Sequence, residues 1–598
     1  MNNAIKKIIV VSTIAYIVIF FLSLFIGRYT ISINDIIDLK TNFELETNII
    51  FNLRLPRAII STLAGISLSL SGLIYQETFQ NDLVSPDLLG VTSGAGVGAS
   101  IAIVLGLSNY FIVMFSFVLG IATVLLTVLI SNIFKGKNNI NLIISGIIVG
   151  SFMSSILTTI KYFVNPETQL STIVYWLMGS FANVTYQNIV FVFPIVFILF
   201  LVLLLISHRI NLISLGREET ETKGINYIFY RNIIIIISTL LTATIVSNCG
   251  TIGWIGLTIP HIVKSIIGRD VNKTLPLCAI FGAIFTLITD VLSRTLTQSE
   301  IPISAITGML GAIVFIMILA NNNKPFISIN NTLMNEVHQV TDINIFDRNY
   351  SKDSNFVKDK KEKCKNSKEI INISKVCYKY NKYSDYVLKN ISLNLFENEI
   401  MLLYGANGSG KTTLLKIIAG IMKPSDGNVF IYSDTYKNQQ SKLIDINKLS
   451  LLEKSKYISY VKQDFSSIGN ILVKDYLLLG MINELKFYQK PTKEQMDKVD
   501  KYARELNIYK FLHKKFFELS GGEKQLVVIC QSLLQNSRII ILDEPTSSLD
   551  SDNQELVIST LIKLAVDYNK TIILSTHNKE HKNINGCTIK NIEYGTLT

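Results

Sequence analysis

Gly405-Ala406-Asn407-Gly408-Ser409-Gly410-Lys411-Thr412-Thr413 follows directly on Ile400-Met401-Leu402-Leu403-Tyr404 and leads into Leu414–Ile421. The apolar run reads as a buried strand and 414–421 as a helix, the context a phosphate-binding loop requires. Its glycines let successive amides converge on phosphate oxygens, and the helix N-terminus adds partial positive charge there. Lys411 is placed to reach the β- and γ-phosphates of a nucleoside triphosphate, and the Thr412 hydroxyl suits Mg²⁺. The whole stretch 405–413 is therefore expected to contact ATP and Mg²⁺.

Further down the chain, Arg538-Ile539-Ile540-Ile541-Leu542 reads as a second buried strand that delivers Asp543 and Glu544 at its end. Asp543 suits the Mg²⁺ shell, and Glu544 suits polarising the attacking water. Leu519-Ser520-Gly521-Gly522-Glu523-Lys524-Gln525 opens a helix expected over 521–535, where backbone amides and Ser520 can meet a phosphate. Gln463 in Val461-Lys462-Gln463-Asp464, Ser548-Leu549-Asp550 and His577 in Ser575-Thr576-His577 complete an ordered set. Over 370–598 these strings resemble the ATP-binding-cassette family. The resemblance implies that Gln463 touches Mg²⁺ and senses a membrane partner, and that His577 lies near the γ-phosphate. It gives Tyr380 the adenine-stacking role, with Tyr378 as the alternative. It also implies that each ATP lies between the phosphate loop of one cassette and Ser520, Gly521 and Gly522 of another. With one of each per chain, the expected assembly is a two-fold homodimer. Relatives often continue the signature into a basic, Ala-rich helix, where this chain has Leu526-Val527-Val528-Ile529-Cys530-Gln531-Ser532.

Upstream the character is different. Charged residues make up 17% of the 598-residue chain and apolar ones 49%, with mean hydropathy +0.38, and the apolar share is concentrated in the first 320 residues. At roughly 20 apolar residues per crossing, ten spans are expected, at 8–26, 58–77, 92–107, 109–133, 140–163, 188–207, 230–248, 253–267, 274–293 and 303–320. The stretch 171–182 is too short to cross and reads as a partial helix. The run from Ile8 to Ile26 is too long for a signal peptide, and no small-residue cleavage site follows. With the N-terminus inside, the inner loops hold Lys135, Lys137, Arg209, Arg217, Lys223, Arg269, Lys273 and Lys324. The outer loops hold chiefly Lys40, Arg54, Arg57 and Arg294. An even number of spans then puts the phosphate loop in the cytosol, where ATP is. The net charge of +11 is read as this loop bias, which excludes nucleic acid as a partner. The six cysteines show no CxxC and no zinc-like spacing with His, so they are expected as free thiols.

Gly94, Gly96, Gly98, Gly250, Gly253, Gly256 and Pro260 crowd the two short spans, as close packing around a pathway would require. Leu53-Arg54-Leu55-Pro56-Arg57, Ser85-Pro86-Asp87-Leu88-Leu89-Gly90 and Gly250-Thr251-Ile252-Gly253-Trp254-Ile255-Gly256-Leu257-Thr258-Ile259-Pro260-His261 resemble the ten-helix permease family of bacterial importers for ferric siderophores, haem and cobalamin. This likeness spans nearly all of 1–320. It departs at Asn81-Asp82-Leu83, where relatives often have Asn-Pro-Leu, and at Trp254-Ile255-Gly256, where they often have Phe-Val-Gly. The resemblance implies that Arg54, Arg57 and Arg294 form an outward patch that meets acidic residues of a separate substrate-binding protein. It also makes Asn211–Ile225, with Leu215, Gly216, Glu218 and Glu219, the loop that couples permease to ATPase.

Residues 321–367, with Lys358-Asp359-Lys360-Lys361-Glu362-Lys363, carry no apolar period and read as a tether that keeps docking intramolecular. The expected fold is a multi-span α-helical membrane domain (1–320) of about ten helices, followed by an α/β P-loop ATPase domain with a helical subdomain (368–598). The expected function is ATP-driven import of a ferric siderophore, haem or cobalamin across the bacterial cytoplasmic membrane. An exporter half-molecule is the alternative, although it would have six long spans; a non-transporting cassette sensor is another.

Overall fold

The computed structural model describes residues 3–29, 47–134, 139–321, 368–381, 384–433, 442–465, 468, 471–486, 489–547, 549–578 and 587–597. Residues 322–367 of the expected tether, Lys40, Lys135, Lys137 and Ser548 lie outside them, while Asn321 ends a helix. Two compact units emerge, one from 1–214 with 228–331, the other from 215–227 with 332–598.

The first unit is helical. Its helices are α1 (Asn3–Phe25), α2 (Leu55–Phe79), α3 (Val91–Val104), α4 (Asn109–Ile133), α5 (Asn139–Phe163), α6 (Ser171–Met178), α7 (Tyr186–Ile213), α9 (Tyr227–Cys249), α10 (Ile255–Ile267), α11 (Val271–Thr295) and α12 (Ile303–Asn321); the intervening helix, Arg217–Thr222 (α8), belongs to the second unit. Every expected span falls on a helix, and α6 is the expected partial helix. Seven are long and apolar enough to cross a membrane, and α3, α10 and the apolar part of α12 are shorter. Seven helices of that length and apolarity mark the first unit as membrane-spanning.

Helix α2 is the hub of this unit and is buried almost throughout. Small residues allow that burial. A Cβ on Gly65 would sit 2.1 Å from the Gly282 carbonyl of α11, and one on Gly72 would sit 1.9 Å from the Gly256 carbonyl of α10. Hydroxyls serve the same contacts, since Ser69 Oγ donates to the Cys278 carbonyl at 2.8 Å and Ser71 bonds Thr242 at 2.9 Å. By contrast α4, α5 and α7 turn most of their apolar surface outward, as lipid-facing helices do. Trp254 caps α10 at φ 69°, a backbone region that bulky residues rarely adopt, and its ring lies against Gly308 and Gly311 of α12.

The second unit is α/β. β1 (Glu369–Tyr378), β2 (Leu388–Phe396), β4 (Asp426–Ser433) and β5 (Lys442–Asp445) form an antiparallel sheet in the order β2-β1-β4-β5. The main sheet runs β10-β9-β3-β8-β7-β6, from β3 (Ile400–Tyr404), β6 (Ile458–Val461), β7 (Ile539–Leu542), β8 (Thr571–Thr576), β9 (Thr588–Glu593) and β10 (Thr596–Leu597). β9, β3, β8, β7 and β6 are mutually parallel. Strands covered on both faces favour apolar residues at every position, which is why β3 and β7 read as unbroken runs. The helices are α8 (Arg217–Thr222), α13 (Lys411–Ile418), α14 (Leu451–Tyr457), α15 (Val473–Leu478), α16 (Lys493–Glu505), α17 (Gly521–Leu534) and α18 (Ser551–Asp567). α13 starts at Lys411, three residues before the expected Leu414, because the loop's last residues already take helical geometry.

Candidate functional site

Four parallel neighbours end at one edge of the main sheet, with Tyr404 beside Thr576, Leu574 beside Leu542, and Leu542 beside Val461. The residues just past those ends therefore converge: the loop 405–410 after β3, Gln463 after β6, Asp543 and Glu544 after β7, and His577 after β8. The fold thus gathers groups that are up to 172 positions apart, from Gly405 to His577.

Gly408 at φ 79° and Gly410 at φ 105° turn the loop, and a Cβ on Gly405 would sit 2.4 Å from the Ile592 carbonyl. Lys411 is buried. Its Nζ donates to the carbonyls of Gly405 (2.8 Å) and Ala406 (3.1 Å) and lies 3.3 Å from Glu544 Oε1. Ala406, Asn407, Gly408 and Thr412 are exposed, Ser409 is half-buried, and Thr413 is buried with its hydroxyl 3.0 Å from Tyr380 Oη. Tyr380 is 60% exposed and stands edge-on to Tyr378, so a face remains free for stacking.

Glu544 is the meeting point. Gln463 Nε2 donates to its Oε2 at 3.2 Å, and His577 Nδ1 lies 3.3 Å from the same oxygen. Its backbone is held at φ 46°, a costly conformation for Glu of the kind that clusters at functional sites. The Glu544 amide donates to Ser575 Oγ at 2.9 Å, and that hydroxyl donates to Asp543 Oδ1 at 2.7 Å. Tyr460 Oη donates to Asp543 Oδ2 at 3.4 Å. Burial, then Asp543, push the Tyr460 phenol well up, so it stays a neutral donor. Thr412, Gln463 and Asp543 offer oxygen donors only, the hard set that Mg²⁺ prefers. Among the described residues no cluster of His, Cys, Asp and Glu suits a softer metal.

Ser520 caps α17 in a capping box with Glu523: its amide donates to Glu523 Oε2 (2.8 Å) and its Oγ accepts from the Glu523 amide (3.3 Å). Ser520 and Gly521 are exposed, whereas Gly522 is buried where a Cβ would meet Asn553 Oδ1 at 2.5 Å.

The loop around α8 packs into the second unit, with Leu215 buried and Gly216 at φ 98°. Glu218 Oε1 accepts from Lys416 Nζ of α13 at 2.6 Å, and Glu219 Oε1 accepts from Tyr476 Oη at 3.4 Å. Reading the sequence missed the rest of this seat. Gln535 donates to the carbonyls of Thr222 (3.0 Å), Ser455 (2.9 Å) and Ile458 (3.2 Å) and accepts from Lys223 Nζ (3.1 Å) and Ser459 Oγ (3.1 Å). Lys223 is fully enclosed; burial lowers its pKa, and Glu219 at 4.0 Å opposes that only in part. Ser575 and Tyr460 were missed too, although each lies within three residues of a recognised group.

The arginine patch is corrected by the structure. Arg54, Arg57 and Arg294 are all buried. Arg57 pairs with Asp290 (2.6 Å) and Glu300 (2.8 Å), Arg294 Nε lies 3.5 Å from Asp290, and Arg54 donates to the carbonyls of Leu24, Phe25 and Tyr29. Their charges are neutralised or bonded inside the first unit, so they form no exposed docking surface.

Residues 15–321 match the FecCD transport family, and 388–547 match the ABC transporter family. A molybdate import system permease of Haemophilus influenzae, MolB, is 34% identical over 316 residues, 52% of this chain and 94% of that protein. A permease assigned to an iron chelatin transport system of Helicobacter pylori is 38% identical over 271 residues, covering 45% and 82% respectively. A solved structure assigned to the metal-chelate type of ABC transporter, in an inward-facing conformation, superposes with TM-score 0.50 at 33% identity, covering 53% of this chain and 99% of that one.

Proposed function

The chain belongs to the FecCD transport family and joins an importer-type permease to its own ABC ATPase, and from that premise we propose that it imports a metal chelate with ATP. The observation that carries the proposal is the seating of α8, a loop between two membrane-type helices, among cassette residues one helix away from the phosphate loop. ATP hydrolysis and transport are thereby coupled within one polypeptide. In this reading 1–320 is the permease, 368–598 the ATPase and 321–367 the segment that joins them. The protein works as a homodimer in the bacterial cytoplasmic membrane, fed by an extracellular substrate-binding protein.

The residues divide the chemistry as follows. The amides of 405–410 and Lys411 hold the β- and γ-phosphates, and Tyr380 stacks on adenine. Thr412, Gln463 and Asp543 would hold Mg²⁺, which when bound neutralises phosphate charge. Glu544 takes the proton of the attacking water, and His577, sharing its Oε2, orients it toward the γ-phosphate. Ser520, Gly521 and Gly522 complete the partner's site. Leu215, Gly216, Glu218 and Glu219 pass cassette closure to the permease.

Likeness to an iron chelatin permease supports a ferric chelate as cargo, and likeness to a molybdate permease supports an oxoanion as the second reading. A strain lacking this gene, supplied separately with ferric siderophores, haem, cobalamin or molybdate, tests both. Rescue by iron chelates alone supports the proposal; rescue by molybdate alone overturns it in favour of the oxoanion.

A further inference from the structure

Tyr460 is fixed on β6, three residues before Gln463, and is 3% exposed. Its hydroxyl is directed at Asp543 Oδ2, while Ser575 Oγ holds Oδ1, so the carboxylate is braced from both oxygens. The two braces leave Asp543 little freedom to rotate about its Cβ–Cγ bond. At 3.4 Å the tyrosine contact is longer than the usual O–H···O range of about 2.5–3.0 Å and can tighten when the carboxylate engages a cation. Tyr460 also lines a cavity with Glu221 and Thr222 of α8 and Lys454 and Ser455 of α14. One residue therefore lies beside both α8 and Asp543.

We propose that Tyr460 is a positioning residue: its hydroxyl sets the orientation in which Asp543 meets Mg²⁺. The proposal rests on the assignment of Asp543 to the metal. No motif position marks Tyr460, because its partner carboxylate lies 83 residues away.

The test uses the full-length protein in nanodiscs. Fluorescent mant-ATP affinity is measured with Mg²⁺ and with EDTA, and the ratio gives the metal-dependent gain without any turnover. Tyr460→Phe keeps the ring and removes the brace. It is expected to leave the EDTA affinity unchanged and to cut the Mg²⁺ gain about fivefold, less than a well-formed hydrogen bond to a carboxylate would give, because the contact is long. Tyr460→Leu should lower the ratio as much. A general packing defect would instead weaken binding equally in both buffers, which would overturn the proposal. Asp543→Asn separates the two layers of argument. If it removes the Mg²⁺ gain while Tyr460→Phe leaves the gain intact, Tyr460 has no such role and the metal assignment stands. If Asp543→Asn leaves the gain intact, the metal assignment fails and the role of Tyr460 falls with it.

Discussion

Gln535→Leu is the sharpest probe of the seat that holds α8. The wild-type amide makes five hydrogen bonds, two of them to the coupling loop, at the Thr222 carbonyl (3.0 Å) and Lys223 Nζ (3.1 Å). A neutral hydrogen bond contributes about 1 kcal/mol, and one to a charged group about 1.5–3 kcal/mol. Leucine keeps the volume but leaves the enclosed Lys223 ammonium with Glu219 at 4.0 Å as its counter-charge. The seating of the loop should weaken by about 3 kcal/mol, or roughly 150-fold in its opening equilibrium. Hydrogen exchange reads this directly at the amides of Thr220, Gly224 and Ile225, which donate to Gly216, Glu221 and Thr220. Their protection should fall by about two orders of magnitude, while amides of β3 change only as much as global stability does. Unchanged protection at the three loop amides would refute the reasoning, because it would mean that Gln535 does not carry the seat.

Glu544→Gln should lower ATP turnover by about 10²–10⁴-fold with ATP affinity kept, since it removes the base and leaves the phosphate contacts; steady-state hydrolysis and nucleotide binding check it. Gly72→Val drives a side chain into the Gly256 carbonyl and should cost about 3 kcal/mol or more, seen as a lower melting temperature in detergent. Asp290→Ala leaves buried Arg57 with Glu300 alone and should destabilise the membrane unit by about 3–5 kcal/mol in the same assay. The lowered pKa of Lys223 means that the unfolded chain binds more protons in the alkaline range below 10.5, so loop stability should rise with pH there; Lys223→Met should flatten that slope.

What could be read in advance was whatever lies in short strings. The loop 405–413, the pair Asp543 and Glu544, and the 519–525 signature each carry their context in neighbouring residues, and apolar run length marked the seven long apolar helices as well as the shorter α3 and α10, of 14 and 13 residues. What escaped depends on contacts far apart in sequence. Arg57 reads as a free surface charge until Asp290, 233 positions on, turns out to face it. Lys223 and Gln535 are 312 positions apart, and neither belongs to a motif. A buried polar pair leaves no periodic trace, because its residues satisfy each other rather than a repeating face.

The account turns on two chains completing each other's nucleotide sites. Nanodiscs sorted by mass into those holding one copy and those holding two allow the ATPase rate per chain to be compared. We expect turnover in two-copy discs and essentially none in one-copy discs. Equal rates per chain in both would contradict the shared site, since a single chain would then close its own phosphate loop without a neighbour's Ser520, Gly521 and Gly522.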